Sequence, residues 1–320
     1  MQIDSPSALH LDDATIASLL DPASVTDAVA DAFDAWGRGA AATTQRVRSS
    51  ASGMMASAMA AVVPPYSGGK LYATTNGAFT FVNVLFDDQG RFLCTLDGDV
   101  LTRLRTPAAS ALAIRHMAVA GARTAAIVGS GRQAWPHLAM LVAELPALER
   151  IAVWARRPAA VAELVDRAIE RGIPAVAARS AAEAAEGADV VVTVTASTEP
   201  VVPCEAVTDR TLLCAVGATK YDRRELSPAT VGRCAAVVCD DAVGSRVECG
   251  DLIGAVADGA FDWADAVELR DVVAGNMTVP RAGNAPVLFE TQGVALQDVA
   301  VAALAYRRHL ETRSDREESS

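Results

Sequence analysis

A chain of 320 residues is long enough to bury a large core, and its length predicts two domains. Hydrophobic residues make up 51% of it and aromatics only 5%, so the apolar mass is aliphatic, which suits helices packed on parallel strands and not an aromatic-rich sandwich. A formal charge of −11 without any Lys/Arg block argues against nucleic acid or a membrane surface as partner, and no apolar run reaches the roughly 18 residues of a spanning helix.

Asp21-Pro22 has the form of a helix N-cap followed by proline at the first helical position. Val25, Ala28, Val29, Ala32, Phe33 and Trp36 then fall at helical spacing, and Gly37 ends the run. From Thr43 to Leu96 short β-prone segments alternate with Gly and Pro, predicting an α+β domain with a largely antiparallel sheet. Phe79–Phe86 and Arg91–Leu96 flank Asp87-Asp88-Gln89-Gly90 and predict a hairpin. Asp99 is placed as the cap of a helix that Pro107 interrupts or restarts before the pattern resumes through Met117.

Beyond Arg123 the texture becomes βα repeats. Strand-like runs stand at Thr124–Val128, Arg150–Trp154, Val190–Val194, Leu212–Val216 and Ala235–Cys239, with a shorter one near Ala175. Helical stretches such as Ala159–Arg171 and Ala181–Glu186 lie between them. After Val294 an apolar helix is expected to about Tyr306, and the charged segment Glu311–Ser320 is expected to be disordered.

Gly129-Ser130-Gly131-Arg132-Gln133-Ala134 fits G-x-G-x-x-A directly after the strand TAAIV and directly before a helical run. The first Gly allows a tight turn, the second lets backbone approach a pyrophosphate, and small Ala134 permits close helix–strand packing. The motif in this context predicts a Rossmann-type dinucleotide-binding domain. An NAD-preferring site would carry Asp or Glu at the end of the second strand, but Arg150–Trp154 is followed by Ala155-Arg156-Arg157. Two guanidinium groups suit a ribose 2′-phosphate, so NADP(H) is favoured, with NAD(H) as the alternative.

The six cysteines contain no C-x-x-C pair, and the four histidines, His10, His116, His137 and His309, have no ligand spacing. No metal site is expected. With no recognisable leader, the cysteines are expected to be reduced thiols of a cytoplasmic protein.

Several segments together resemble the ornithine cyclodeaminase/mu-crystallin family. They are Gln45-Arg46, Gly69-Lys70-Leu71, Leu96-Asp97-Gly98, Leu104-Arg105-Thr106, GSGRQA, Val216-Gly217-Ala218 with Arg224-Glu225-Leu226, and Glu248-Cys249-Gly250-Asp251-Leu252. The resemblance implies a discontinuous α+β substrate-binding and dimerisation domain, residues 1–115 joined by a C-terminal helix at 294–310. It would surround a Rossmann domain at 116–293, with 311–320 as a disordered tail and a homodimer as the assembly. The implied substrate is an imino or amino acid whose carboxylate is met by Arg46, Lys70 and Arg105. Chemistry agrees: a carboxylate is well held by a planar arginine fork and a compact ammonium.

Cyclodeaminases of the family carry an acid where this chain has Thr219, in Gly217-Ala218-Thr219. The following Tyr221–Leu226 and the Cys249–Leu252 segment look more like the ketimine-reductase branch. The expected activity is therefore NADPH-dependent reduction of a cyclic ketimine 2-carboxylate, pyrroline- or piperideine-2-carboxylate. Lys70 and Thr219 are the catalytic candidates, Thr219 holding a water or the ring nitrogen. Asp222 is expected to cap or to pair with a local arginine. Thr106, Ala155, Thr193, Thr195, Val216 and Gly217 complete the candidate cofactor contacts. The alternatives are an ornithine cyclodeaminase or alanine-dehydrogenase-like enzyme, and a non-catalytic NADPH-binding protein.

Overall fold

The computed structural model describes residues 9–75 and 78–318, which form two compact units. One takes the described residues up to Ala108 together with those from Val294 onward, and the other runs from Ala109 to Gly293.

The first unit opens with β1 (Leu9–Leu11), α1 (Asp13–Leu19) and α2 (Pro22–Gly37). Asp21 caps α2 as its sequence requires, its carboxylate accepting from Ser24 N at 3.0 Å. The strands β2 (Ala42–Thr43), β3 (Val47–Ala51), β4 (Met54–Val63), β5 (Tyr66–Thr75), β6 (Ala78–Phe86) and β7 (Phe92–Asp97) follow. The sheet order is β1-β7-β6-β5-β4-β2, with β3 also on β4. Every pairing is antiparallel except that of β1 with β7. The expected hairpin forms between β6 and β7. Asp87 closes it by accepting from Gln89 N and Arg91 N at 3.0 and 2.9 Å, and Gly90 takes φ +73°.

Residues directly opposite in this sheet share a face. Met59, Lys70, Asn83 and Leu96 thus form one buried row across four strands. The neighbouring row on that face is Ser57, Tyr72 and Phe81. The C-terminal helix (Ala295–Glu318) packs on β4, β5 and β6 beside α2. Its first three turns are buried nearly all round, as their sequence, apolar apart from Gln297 and Asp298, demands.

Three expectations are corrected here. The helix α3 (Asp99–Met117) runs through Pro107 without a break. Proline removes one N–H from the ladder, and Thr106 Oγ1 donates to Thr102 O at 2.8 Å on that turn. Asp99 is the first helical residue and not its cap, because Asp13 of α1 accepts from Val100 N at 2.8 Å and takes that role. The segment expected to be a disordered tail continues the C-terminal helix to Glu318, while 319–320 lie outside the described residues. Once a helix is nucleated by a buried apolar stretch, a run of Glu, Arg and Asp propagates it at little cost.

The second unit contains β8 (Thr124–Val128), α4 (Ala134–Glu144), β9 (Arg150–Trp154), α5 (Pro158–Ile169), β10 (Ala175–Ala177), α6 (Ala181–Ala185), β11 (Val190–Thr193) and β12 (Leu212–Ala215). It continues through α7 (Pro228–Gly232), β13 (Ala236–Cys239), α8 (Ala242–Glu248), α9 (Gly250–Ala257), β14 (Ala266–Glu268), α10 (Leu269–Val273) and β15 (Val287–Glu290). The sheet is parallel throughout in the order β10-β9-β8-β11-β12-β15-β13-β14. Strand order reverses between β8 and β11, the place where such a Rossmann-type sheet opens a ligand crevice at its carboxyl ends. The strands β14 and β15 were not foreseen.

Candidate active site

In the first unit the three predicted cations converge. Lys70 on β5 is 3% exposed, and burial lowers its pKa to about 8. Asp298 pulls that value up, whereas the charges of Arg105 and Arg46 press it down. Lys70 Nζ donates to Thr102 Oγ1 at 2.6 Å and to Asp298 Oδ1 at 3.1 Å. It also lies 4.5 Å from the centre of the Phe81 ring. Arg105 on α3 donates from Nη1 to Gln297 Oε1 at 2.7 Å, and its Nε stands 3.6 Å from Asp298 Oδ1. Half-buried Arg46 precedes β3. Thr106, one residue beyond Arg105, is buried and its hydroxyl serves its own helix. Sequence reasoning missed Gln297 and Asp298. The signal was a Gln-Asp pair inside an otherwise apolar helix.

Polar atoms of this cluster, among them Asp298 Oδ2, Gln297 Nε2 and Asn83 Oδ1, are buried without a hydrogen-bond partner among the described residues. Unsatisfied acceptors and a donor side by side suit a polar ligand.

In the second unit Gly129 follows β8 at φ +135°, and a Cβ there would lie 2.6 Å from Val194 O. Only glycine fits that turn. A Cβ on Gly131 would meet nothing within 4 Å, so the backbone beside it is open to a ligand. The helix α4 begins at Ala134 with no side chain capping it from Gln133. Half-buried Ser130 and exposed Arg132 flank Gly131. An open glycine turn feeding an uncapped helix N-terminus fits a dinucleotide pyrophosphate. Beyond β9, Ala155 is half-buried and Arg156 and Arg157 are exposed, with no carboxylate on that turn.

The loops after β11 and β12 are joined by Glu225, a motif residue to which sequence reasoning assigned no role. Fully buried, it accepts from Thr193 Oγ1 at 2.8 Å, Thr195 N at 2.6 Å and Gly217 N at 2.6 Å. Burial raises its pKa while these three donors oppose the rise. Asp251 accepts in turn from Glu225 N and Leu226 N at 2.8 and 3.0 Å. Burial, and then the charge of Glu225, push Asp251 up to about 7. Gly217 must be glycine, because a Cβ would sit 2.1 Å from Thr195 O and 2.6 Å from the Glu225 carboxylate. The hydroxyl proton of Thr193 is thereby committed inward, and Val216 is buried. Half-buried Thr219 donates its N–H to Gly217 O at 2.8 Å.

Asp222 departs from expectation. It is exposed and makes no hydrogen bond or ion pair among the described residues. The arginines beside it face elsewhere: Arg223 donates to Ala196 O, and the Arg224 guanidinium lies against Gly254. No cluster of metal-ligating side chains occurs among the described residues.

A profile of the ornithine cyclodeaminase/mu-crystallin family matches residues 10–313. The chain is 37% identical over 220 residues to an iminosuccinate reductase of Paracoccus denitrificans, covering 68% of this chain and 67% of that protein. It is 33% identical over 252 residues to a Delta(1)-pyrroline-2-carboxylate/Delta(1)-piperideine-2-carboxylate reductase of Azospirillum brasilense, covering 77% and 76%. Its fold matches that of Thermococcus litoralis Delta(1)-pyrroline-2-carboxylate reductase, solved with NADH and L-proline, at a TM-score of 0.89 and 27% identity over 95% of this chain and 98% of that one. Motifs, fold and similarity agree, and the chain belongs to the ornithine cyclodeaminase/mu-crystallin family.

Proposed function

We propose that the protein is an NADPH-dependent reductase of cyclic ketimine 2-carboxylates, forming cyclic L-amino acids from pyrroline- or piperideine-2-carboxylate. The convergence of Arg46, Lys70 and Arg105 about a buried, unsaturated polar cluster carries this reading. Arg105 and Arg46 clamp the carboxylate and Lys70 adds an ammonium beside it. The nicotinamide supplies the hydride for the C=N carbon. The turn at Gly129–Gln133 and the uncapped start of α4 take its pyrophosphate, and Arg156 with Arg157 takes the 2′-phosphate. Glu225 holds the loops bearing Thr195 and Gly217 in fixed register. Thr219 bonds a water or the ring nitrogen. A ketimine protonates readily near neutral pH, so the missing acid at 219 favours reduction over ammonia elimination, which needs a general base.

A second reading, reduction of an acyclic imino dicarboxylate, is favoured by the charge of the cluster. Three cations face one internal carboxylate, an excess that a substrate with two carboxylates would neutralise. It also accords with the iminosuccinate reductase relative. Oxidation of NADPH and NADH with pyrroline-2-carboxylate, piperideine-2-carboxylate and iminosuccinate, assayed side by side, decides. A kcat/KM highest for the cyclic pair supports the first reading; one highest for iminosuccinate replaces it with the second.

The assembly we propose is a cytoplasmic homodimer. The sheet face opposite Lys70 carries the apolar row Val47, Ala58, Leu71 and Val82, with Val47 and Leu71 64% and 55% exposed. A contiguous apolar row left in water suits a second copy.

A further inference from the structure

Into the cluster of cations a carboxylate enters from the C-terminal helix. Asp298 stands in the first turn of that helix, where an acid would ordinarily serve the free N–H groups. Its contacts are different: Lys70 Nζ at 3.1 Å and Arg105 Nε at 3.6 Å. The Lys70 and Asp298 side chains are 2% and 1% exposed, so water screens their attraction little.

The groups facing Lys70 are Asp298 from the C-terminal helix, Arg105 from α3 and Arg46 from the segment before β3, with neutral Thr102 and Phe81 beside them. Two cations and burial all favour the neutral amine, and Asp298 opposes them. We propose that Asp298 is a positioning residue, keeping Lys70 protonated and aimed so that it can meet the substrate carboxylate. Asp298 acts through Lys70 and need not touch substrate. The inference rests on the reduction proposed above, since it gives Lys70 a task there.

The expected behaviour has a definite sign. Removing the carboxylate leaves Lys70 facing only cations, so the ammonium becomes a stronger acid. Lys70 then loses its proton at lower pH, and the alkaline limb of kcat/KM for the ketimine moves down with it. Removing an acid that merely stabilised the helix would lower the melting temperature and leave the limb in place.

The test titrates the Lys70 13Cε signal, assigned with Lys70→Arg, in the full-length protein with NADPH bound, alongside kcat/KM against pH. Asp298→Asn should lower the Lys70 midpoint and the alkaline limb together by at least one pH unit, and Asp298→Glu should bring both back toward the parent. An unmoved midpoint overturns the proposal, and so does a midpoint that moves without the limb. If Asp298→Asn does not fold, Asp298→Asn with Lys70→Met decides. Recovery of folding supports the pairing, because both buried charges are gone; continued failure shows that Asp298 acts independently of Lys70. A parent protein inert toward every ketimine defeats the proposed reaction, while the titration still reports whether Asp298 controls Lys70.

Discussion

Arg105 makes contacts that a lysine could not make together. Its guanidinium donates to Gln297 and faces Asp298 through a second nitrogen, leaving further N–H groups of the fork for a ligand. Arg105→Lys keeps the charge but loses this geometry, and kcat/KM for the ketimine should fall roughly 100-fold, equivalent to about 2.7 kcal/mol. NADPH affinity by fluorescence titration should be unchanged; parallel loss of cofactor binding would remove Arg105 from the substrate subsite. Arg156→Ala should raise KM for NADPH roughly ten- to a hundred-fold, the loss of one charge-assisted contact of about 1.5–3 kcal/mol, and leave KM for NADH nearly alone. Equal effects on both cofactors would mean that Arg156 does not meet the 2′-phosphate. Arg46, Lys70 and Arg105 stood out in the sequence because Gln45-Arg46, Gly69-Lys70-Leu71 and Leu104-Arg105-Thr106 resemble segments of the family in order. Asp298 did not, because its partner lies 228 residues away and only the folded helix brings them together.

Among the elements, the clasp between the loops after β11 and β12 has a consequence for stability. Asp251 is raised to about 7 in the fold, well above its ordinary value of 3.8. A carboxyl so raised stabilises the folded state fully below its unfolded pKa, and this contribution is lost as pH rises toward 7. Burial moves Glu225, Asp240 and Glu290 in the same direction. The melting temperature should therefore fall between pH 5 and pH 8. In Asp251→Asn, which retains the oxygen accepting from Glu225 N and Leu226 N, that fall should be smaller; a slope as steep as the parent's would show that Asp251 is not among the groups responsible. The strands β8 and β9 took the expected limits because five-residue apolar runs bounded by a Gly turn and by Arg read unambiguously. The sequence placed Glu225 and Asp251 in recognisable motifs but not as partners. Carboxylates whose hydrogen bonds come from backbone and hydroxyl donors, most of them 25 to 32 residues away, carry no charge pattern to reveal them.

At the scale of the whole molecule, an acidic chain of net charge −11 needs a compensating attraction to self-associate, and the apolar row at Val47 and Leu71 offers it. Leu71→Asp should shift the protein from dimer to monomer in sedimentation velocity, and an unchanged sedimentation coefficient would move the interface elsewhere. The two-part organisation was legible from texture, antiparallel β segments giving way to βα repeats. The reach of the last helix was not, because its charged end reads as solvated chain until the buried start is seen. The proposed reaction is net hydride transfer to a cyclic imine without loss of nitrogen. It is tested most directly by incubating the protein with NADPH and pyrroline-2-carboxylate, and separately with ornithine and oxidised cofactor, measuring L-proline, cofactor and ammonia together. The proposed reaction gives one L-proline per NADPH consumed and no ammonia from ornithine. Ammonia released from ornithine with proline formed and no net change in cofactor would contradict it and make the protein a cyclodeaminase.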